Sequence, residues 1–347
     1  MIAGNRERSP VIAFFMICAG LLSCTLAPAQ EDCIAEKLPA AAMPSPCPNC
    51  RADRDFWCSE CAARSGCKTC GGSGWVCTGD NTVAQRDLLQ KQQHELARIN
   101  TVIGTKLRSV ETPRLRLFTD VDHRLSHKCA QLFERYIEKF NDTFDRQPEE
   151  KIWRDTCDVY LFNSRETFEK FATSIDARPQ VAGSGGYSCP SSERPRAVLF
   201  KDSRNDQEAS RAIVHELAHI YLALFHTDRP LPDWVQEGVA QDFEFSYKAS
   251  GSRRKDSLKV LRNAIENNTL MTLPELSQMK FTPDKLLPYA ASWSAVGFLT
   301  AKDRPSFGEF VKLMKEGKDQ DAALAAAFGM SFEAANAAWR QYVARMK

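Results

Sequence analysis

Histidine is scarce in this chain, six in 347 residues, so where the few fall is informative. Charge of one sign is not in excess either. A formal net charge of +2 gives no whole-chain reason to expect nucleic acid or an anionic membrane as partner. After residue 22 no long apolar run occurs, and nothing approaches the roughly 20 residues needed to span a bilayer. Neither Gly nor Pro interrupts the stretch before Pro230 back to Asn205, which leaves room for one long helix. Outside the first 80 residues cysteine is rare. Cys129, Cys157 and Cys189 number three, so at most one disulfide forms among them. None adjoins a histidine, and a cysteine nucleophile has no support.

What is present gathers in Ile213-Val214-His215-Glu216-Leu217-Ala218-His219-Ile220-Tyr221. His215 and His219 are four residues apart, so on a helix their imidazoles share a face and can grip one ion. Glu216 follows directly, placed to take a proton from water held there. Asn205 with Glu208 reads as a capping box at the helix start. Ile213, Leu217, Ile220 and Leu224 recur at helical steps as a buried stripe, with the histidines off it. Catalytic zinc needs a third protein ligand and an open position. A histidine six residues after His219 would complete one known pattern, but Phe225 stands there and excludes it. His226 is roughly 16 Å along a continuous helix from His215, too far to share its ion, and is expected to act as a cation near the helix C-terminus. Glu237 is the better candidate. It lies in Leu231-Pro232-Asp233-Trp234-Val235-Gln236-Glu237-Gly238, where Asp233 and Gln236 form a second capping signature after a reversal marked by Pro230 and Pro232. A helix starting near Trp234 and antiparallel to the first aims Glu237 at the histidine pair. An exposed helix carboxylate is the other reading of Glu237. Asp242 and Glu244, one to two turns on, are available to orient the ligands.

His-Glu-x-x-His followed after eighteen residues by Glu, inside Pro-Asp-Trp-x-x-Glu-Gly, resembles the gluzincin metallopeptidases, especially their bacterial peptidase-MA-like group. The similarity runs from about Pro113 to the C-terminus. It implies an α+β fold, with a small mixed sheet, the motif helix and a mostly helical C-terminal half. It implies that His215, His219 and Glu237 bind one catalytic Zn2+, that Glu216 is the general base, and that the substrate is a peptide or protein. Within Pro288-Tyr289-Ala290-Ala291-Ser292-Trp293 the chain is similar to a Tyr-x-x-Ser-hydrophobic helix start of the same group. There the Tyr289 phenol would donate to an oxyanion; a core tyrosine is the other reading. The function expected is an exported zinc metallopeptidase. Its rival is a non-catalytic envelope binding or scaffold protein, with a structural zinc site and a cysteine-rich module that holds a protein partner.

Residues 1–29 read as an export signal, with Arg6 and Arg8, an apolar core from Val11 to Leu22, and Ala27-Pro28-Ala29 as a cleavage site. Leu21-Leu22-Ser23-Cys24 offers a second reading, a lipoprotein box acylated at Cys24. Both readings place the mature chain outside the cytoplasm, periplasmic or secreted. Residues 30–80 hold Cys33, Cys47, Cys50, Cys58, Cys61, Cys67, Cys70 and Cys77 among Gly, Pro and Ser. So small a polar segment needs cross-links or metal to fold. Cys67-Lys68-Thr69-Cys70-Gly71-Gly72-Ser73-Gly74 resembles one repeat of the DnaJ-type zinc module. Eight cysteines suit two structural zinc sites or four disulfides. The repeated Cys-x-x-Cys favours zinc, and an oxidising compartment favours disulfides. Residues 81–108 are expected to form a helical connector, with Leu88, Leu89, Leu96, Ile99 and Ile103 packing on the next domain.

Residues 109–347 form the main domain. Strands are expected at Arg114–Thr119, Asp158–Phe162 and Ala197–Phe200. Helices are expected at Ala130–Phe144 and at Ser164–Ile175, with a turn-rich piece at Gly183–Tyr187. The Ala197–Phe200 strand is either a sheet edge for an extended peptide or an ordinary core strand. Past Glu237 the periodicity predicts helices at Ser257–Asn268, Leu273–Met279, Tyr289–Lys302, Phe307–Lys315 and Phe332–Met346, punctuated by Pro274, Pro283, Pro288 and Pro305. Ala322–Ala327 suits close helix packing.

Overall fold

The computed structural model describes residues 94–346, apart from 148–151, 154–155, 180, 182–183, 192–193, 202–205, 248–250 and 283–284, together with two short strands. These are β1 (Pro44–Pro46) and β2 (Trp75–Cys77), antiparallel with Ser45 opposite Val76. The segment expected to direct export, with Cys24, the cysteines Cys33, Cys47, Cys50, Cys58, Cys61, Cys67 and Cys70, the side chain of Cys77, and Leu88, Leu89, Asn205 and Pro283 lie outside the described residues.

The main domain is α+β, built on a five-stranded mixed sheet. Its strands are β3 (Arg108–Glu111), β4 (Leu115–Thr119), β5 (Cys157–Phe162), β6 (Gly186–Cys189) and β7 (Arg196–Phe200), in the order β3-β4-β5-β7-β6. The central three run parallel, and β3 and β6 pair antiparallel at the two edges. Side chains alternate between two cores, as the period of a strand requires. Leu115, Leu117, Val159, Leu161, Ala197 and Leu199 enter the larger core, while Phe118, Tyr160, Phe162, Val198 and Phe200 enter a smaller one on the opposite face. With both faces covered, the strands read as continuous apolar runs. Arg116 and Asp158, buried on neighbouring strands, neutralise each other through two hydrogen bonds of 3.0 Å.

The structure places Ala197–Phe200 inside the sheet, paired on both sides, so the edge reading is wrong for it. The edge belongs to β6, whose glycine-rich approach reads as a turn although Gly186 pairs with Leu199 and Ser188 with Ala197. β3 is a further strand without a clear sequence signal.

Helix α1 (residues 94–103) packs Ile99 and Ile103 on the smaller core and ends where Gly104 takes φ +72°. Helix α2 (His123–Thr143) starts well before the expected Ala130, because its first turns are polar; Asp122 caps it by accepting from the Leu125 amide at 3.0 Å. Helix α3 (Arg165–Ser174) is capped by Ser164 and covers the smaller core with Phe168 and Phe171. The motif helix is α4 (Asp206–Leu224), followed by α5 (Asp233–Ser246), α6 (Gly251–Glu266), α7 (Leu273–Gln278), α8 (Leu286–Lys302), α9 (Arg304–Lys315), α10 (Gln320–Phe328) and α11 (Phe332–Arg345). Pro274, Pro288 and Pro305 fall inside the first turns of α7, α8 and α9 rather than between helices. There a missing N–H costs nothing. Phe140 stacks on Phe243 at 4.0 Å and on Tyr221 at 4.8 Å, which ties α2, α5 and α4 together under the site. No helix among the described residues is long and apolar enough to cross a membrane.

Candidate metal centre

Helix α4 is buried on every side from Ala209 to Leu222, not along one stripe. The sheet, α2 and α5 enclose it between them. Its C-terminal carbonyl end is neutralised by Lys315, whose Nζ donates to the carbonyls of Ala223 at 2.9 Å and Arg229 at 2.8 Å. His226, expected in that role, instead takes a left-handed φ of +63° and meets Glu316 at 2.9 Å. Burial all round turns the polar pair on this helix into a specific observation. His215 and His219 are each 2% exposed, and they face α5.

Helix α5 supplies the third donor. Its Glu237 is 3% exposed. One Glu237 oxygen lies 3.6 Å from His215 Nε2, the other 3.7 Å from His219 Nε2, and the two imidazole nitrogens stand 3.2 Å apart. Donors bound at about 2.0–2.2 Å to one tetrahedral zinc stand about 3.3–3.6 Å from one another. One ligand atom from each of the three lies within 4.8 Å of the other two, near enough for a small inward shift to bring them onto one ion, and two nitrogens with one carboxylate are a donor set that zinc accepts. Glu237 Oε2 has no hydrogen-bond partner, so one oxygen of a buried carboxylate is left to an ion. The three residues expected from the sequence therefore do come together, and they fit a zinc ion.

Glu237 arrives there through two local features. Asp233 is the first helical residue rather than the cap, and its carboxylate accepts from the Phe281 amide at 3.0 Å. Gln236 donates to the Leu231 carbonyl at 2.8 Å, fixing the turn before the helix. Gly238 lets α5 press on α8. A Cβ at 238 would sit 2.6 Å from both the Ser292 carbonyl oxygen and Val296 Cγ2. Of the two acids considered for orienting the ligands, Glu244 does so, with Oε2 3.1 Å from His215 Nδ1. Asp242 turns to α8 instead, where the Trp293 indole donates to it.

Glu216 is fully buried, with the Ser188 hydroxyl of the edge strand beside it. It lies against the edge strand: a Cβ at Gly186 would meet Glu216 Oε1 at 3.3 Å. Burial raises its carboxyl to about 7, partly offset by His215, Arg178 and Ser188. A carboxyl that titrates near neutrality can both take and return a proton at physiological pH. Burial also raises Glu237, to about 8, against the pull of His215. For His215, burial acts to lower the ring, but the Glu244 hydrogen bond and the charges of Glu237, Glu244 and Glu216 prevail and raise it to about 8. His219 falls well below its ordinary value through burial and the neighbouring His215.

Tyr289 stands on the first turn of α8, 9% exposed, its ring edge-on to Phe281 at 5.1 Å. It lies on the helix that crosses α5 beside Glu237. Cys129, Cys157 and Cys189 form no disulfide, and burial pushes the Cys129 thiol up to about 12, which makes it inert. Sequence reasoning missed Gly186 and Ser188 beside Glu216, because a short strand that follows glycines carries little periodic signal. It missed Arg253 as well, which meets Glu244 from α6 at 3.2 Å and is brought there only by the fold.

Residues 199–345 match the family model of the Peptidase MA superfamily, a span that runs from the end of β7 through both ligand helices to α11. Among solved structures, the chain is similar to the M1 zinc metallopeptidase from Deinococcus radiodurans, at 13% identity and a TM-score of 0.33. It is also similar to a mutant of that enzyme, at 11% identity and a TM-score of 0.36. In both cases 68% of this chain is covered against 51% of the other, so it spans about half their length. No curated protein matches.

Proposed function

We propose that this chain is an exported zinc-dependent metallopeptidase. The observation that carries the reading is the convergence of His215, His219 and Glu237, from two packed helices, with one ligand atom of each within 4.8 Å of the other two. The Peptidase MA match over the same helices supports it. When bound, zinc supplies Lewis acidity: it polarises a carbonyl and makes a water acidic near neutral pH.

The chain's own groups do the rest. Glu216, buried and titrating near 7, takes the proton from the attacking water and returns it to the leaving amine. Edge strand β6 has one side unpaired within the sheet and touches Glu216 at Gly186, so an extended peptide can add to it by backbone hydrogen bonds. Tyr289 is assigned the oxyanion donor's role, on its place at the start of α8 and the Tyr-x-x-Ser resemblance. Export rests on the signal-like residues 1–29, and the cysteine-rich residues 30–80 are assigned to a separate module.

Glu216→Gln tests the reading, because it keeps the shape and all three ligands. Zinc content should stay at the wild-type level while hydrolysis of an unfolded protein substrate falls at least about 100-fold. Unchanged hydrolysis in that variant would rule out the assigned base, and an absence of zinc in the wild type would rule out the metal site.

A further inference from the structure

Behind His215 runs a closed ring of charged side chains that the proposed chemistry does not use. Glu244 on α5 takes His215 Nδ1 at 3.1 Å with one oxygen. Its other oxygen accepts from Arg253 Nη1 at 3.2 Å. Arg253 Nη2 then reaches Glu208 at 2.8 Å, and Glu208 also pairs with Arg211. Glu208, Arg211 and His215 follow one another on α4 at steps of three and four, so they share one helix face. The ring thus leaves α4 at His215, crosses α5 and the first turn of α6, and returns to α4.

We infer that Arg253, braced by Glu208, is a positioning residue for the metal-ligating His215, acting through Glu244. The inference rests on the metal reading above.

The physical reasons are these. A carboxylate on the far nitrogen of a ligating imidazole fixes its tautomer and ring direction, leaving the Nε2 lone pair for the ion. That carboxylate has a side chain only 3% exposed, and a buried charge without a partner is expensive. Arg253 suits the task because its two terminal nitrogens serve two carboxylates from one rigid plane; a lysine offers a single point charge. Helix α6 is otherwise lightly held, burying only Leu258, Leu261 and Ala264 in its 16 residues. Its first turn is held by this ionic joint together with Arg254, which lies over the Trp293 ring at 5.7 Å, so the metal site is sensitive to whether α6 is docked.

The test uses the full chain. Zinc affinity is measured by chelator competition, counting only the zinc lost in a His219→Ala variant so that the cysteines do not contribute. Arg253→Met should weaken this site about 10- to 100-fold, and Arg253→Lys should recover part of the loss. In a Glu244→Gln background the His215 contact can persist without a charge, so there Arg253→Met should cost much less. A role confined to general stability would give the same loss in both backgrounds, and that result overturns the inference. An Arg253→Met affinity within twofold of wild type overturns it too. A wild type whose zinc does not depend on His219 is a different outcome: it removes the metal reading and the inference together.

Discussion

Gly238→Ala puts the contact between the two helices that frame the site to a quantitative test. Replacing glycine by alanine inside a helix ordinarily gains about 1 kcal/mol, because alanine loses less backbone entropy. At 238 the new methyl would sit 2.6 Å from the Ser292 carbonyl oxygen and from Val296 Cγ2, and 2.9 Å from the Ser292 carbonyl carbon. Two of those three atoms are backbone, so no rotamer change relieves them. Helices α5 and α8 must separate by close to an ångström, and overpacking of this kind costs about 1–3 kcal/mol or more. The backbone contacts put the cost at the upper end, for a net loss of about 2 kcal/mol. In a domain of this size that lowers the melting temperature by roughly 4–8 °C. Because Glu237 is the adjoining residue, the donor spacing widens too, and zinc affinity falls in the same variant. Gly297→Ala on α8 is the matched control. There a Cβ meets only Tyr342 Oη at 3.6 Å and Asp242 Oδ1 at 3.9 Å, ordinary contacts, so the propensity gain should survive and the melt stay level or rise. Thermal unfolding of both variants decides the matter. A Gly238→Ala protein that melts at or above the wild type refutes the reasoning, as do equal shifts in the two.

Other expectations are as direct. Phe140→Ala removes the ring shared by α2, α4 and α5 and should cost about 3–5 kcal/mol in denaturant unfolding; a loss below 1 kcal/mol would mean the stack is not structural. Zinc must displace protons from His215 and Glu237, both raised to about 8, so affinity should climb with pH from about 6 to 8 and level off above. Calorimetry in buffers of different ionisation enthalpy should show proton release below pH 8, and a pH-independent affinity across that range would contradict it.

Which parts of the site were legible in the sequence follows from how each is specified. The ligands are local facts: a step of four from one histidine to the next fixes a shared helix face, and Pro232 with Asp233 fixes where the next helix begins. Glu244 is one step further, legible as a residue two turns past Glu237 though not as the partner of His215. Arg253 lies beyond reach, because nothing in its own helix signals a metal. Its place depends on how α6 docks. Strand β6 escaped for the opposite reason, since Gly185 and Gly186 make a local turn signal that the sheet overrides by pairing Gly186 with Leu199. Helix α4 was misjudged in degree. A stripe at steps of three and four is what a half-buried helix shows, whereas this one is apolar or small nearly all round and is enclosed accordingly.

That enclosure gives the charge balance its force. Glu208, Arg211, Glu244 and Arg253 carry two negative and two positive charges, and with neutral imidazoles the ring behind His215 is closed. Glu216 and Glu237 are then left with two negative charges in a buried space, and Glu237 Oε2 has no hydrogen-bond partner. A buried deficit of two cannot stand uncompensated. Protons can fill it, which is the physical content of carboxyls raised to about 7 and 8 beside an imidazole raised to about 8. One divalent cation would fill it equally well while leaving Glu216 free of a proton, and the three buried donors stand within 4.8 Å of one another, where such an ion could reach them all. The raised proton affinities and the donor geometry are therefore two expressions of a single requirement for two positive charges at that point in the fold.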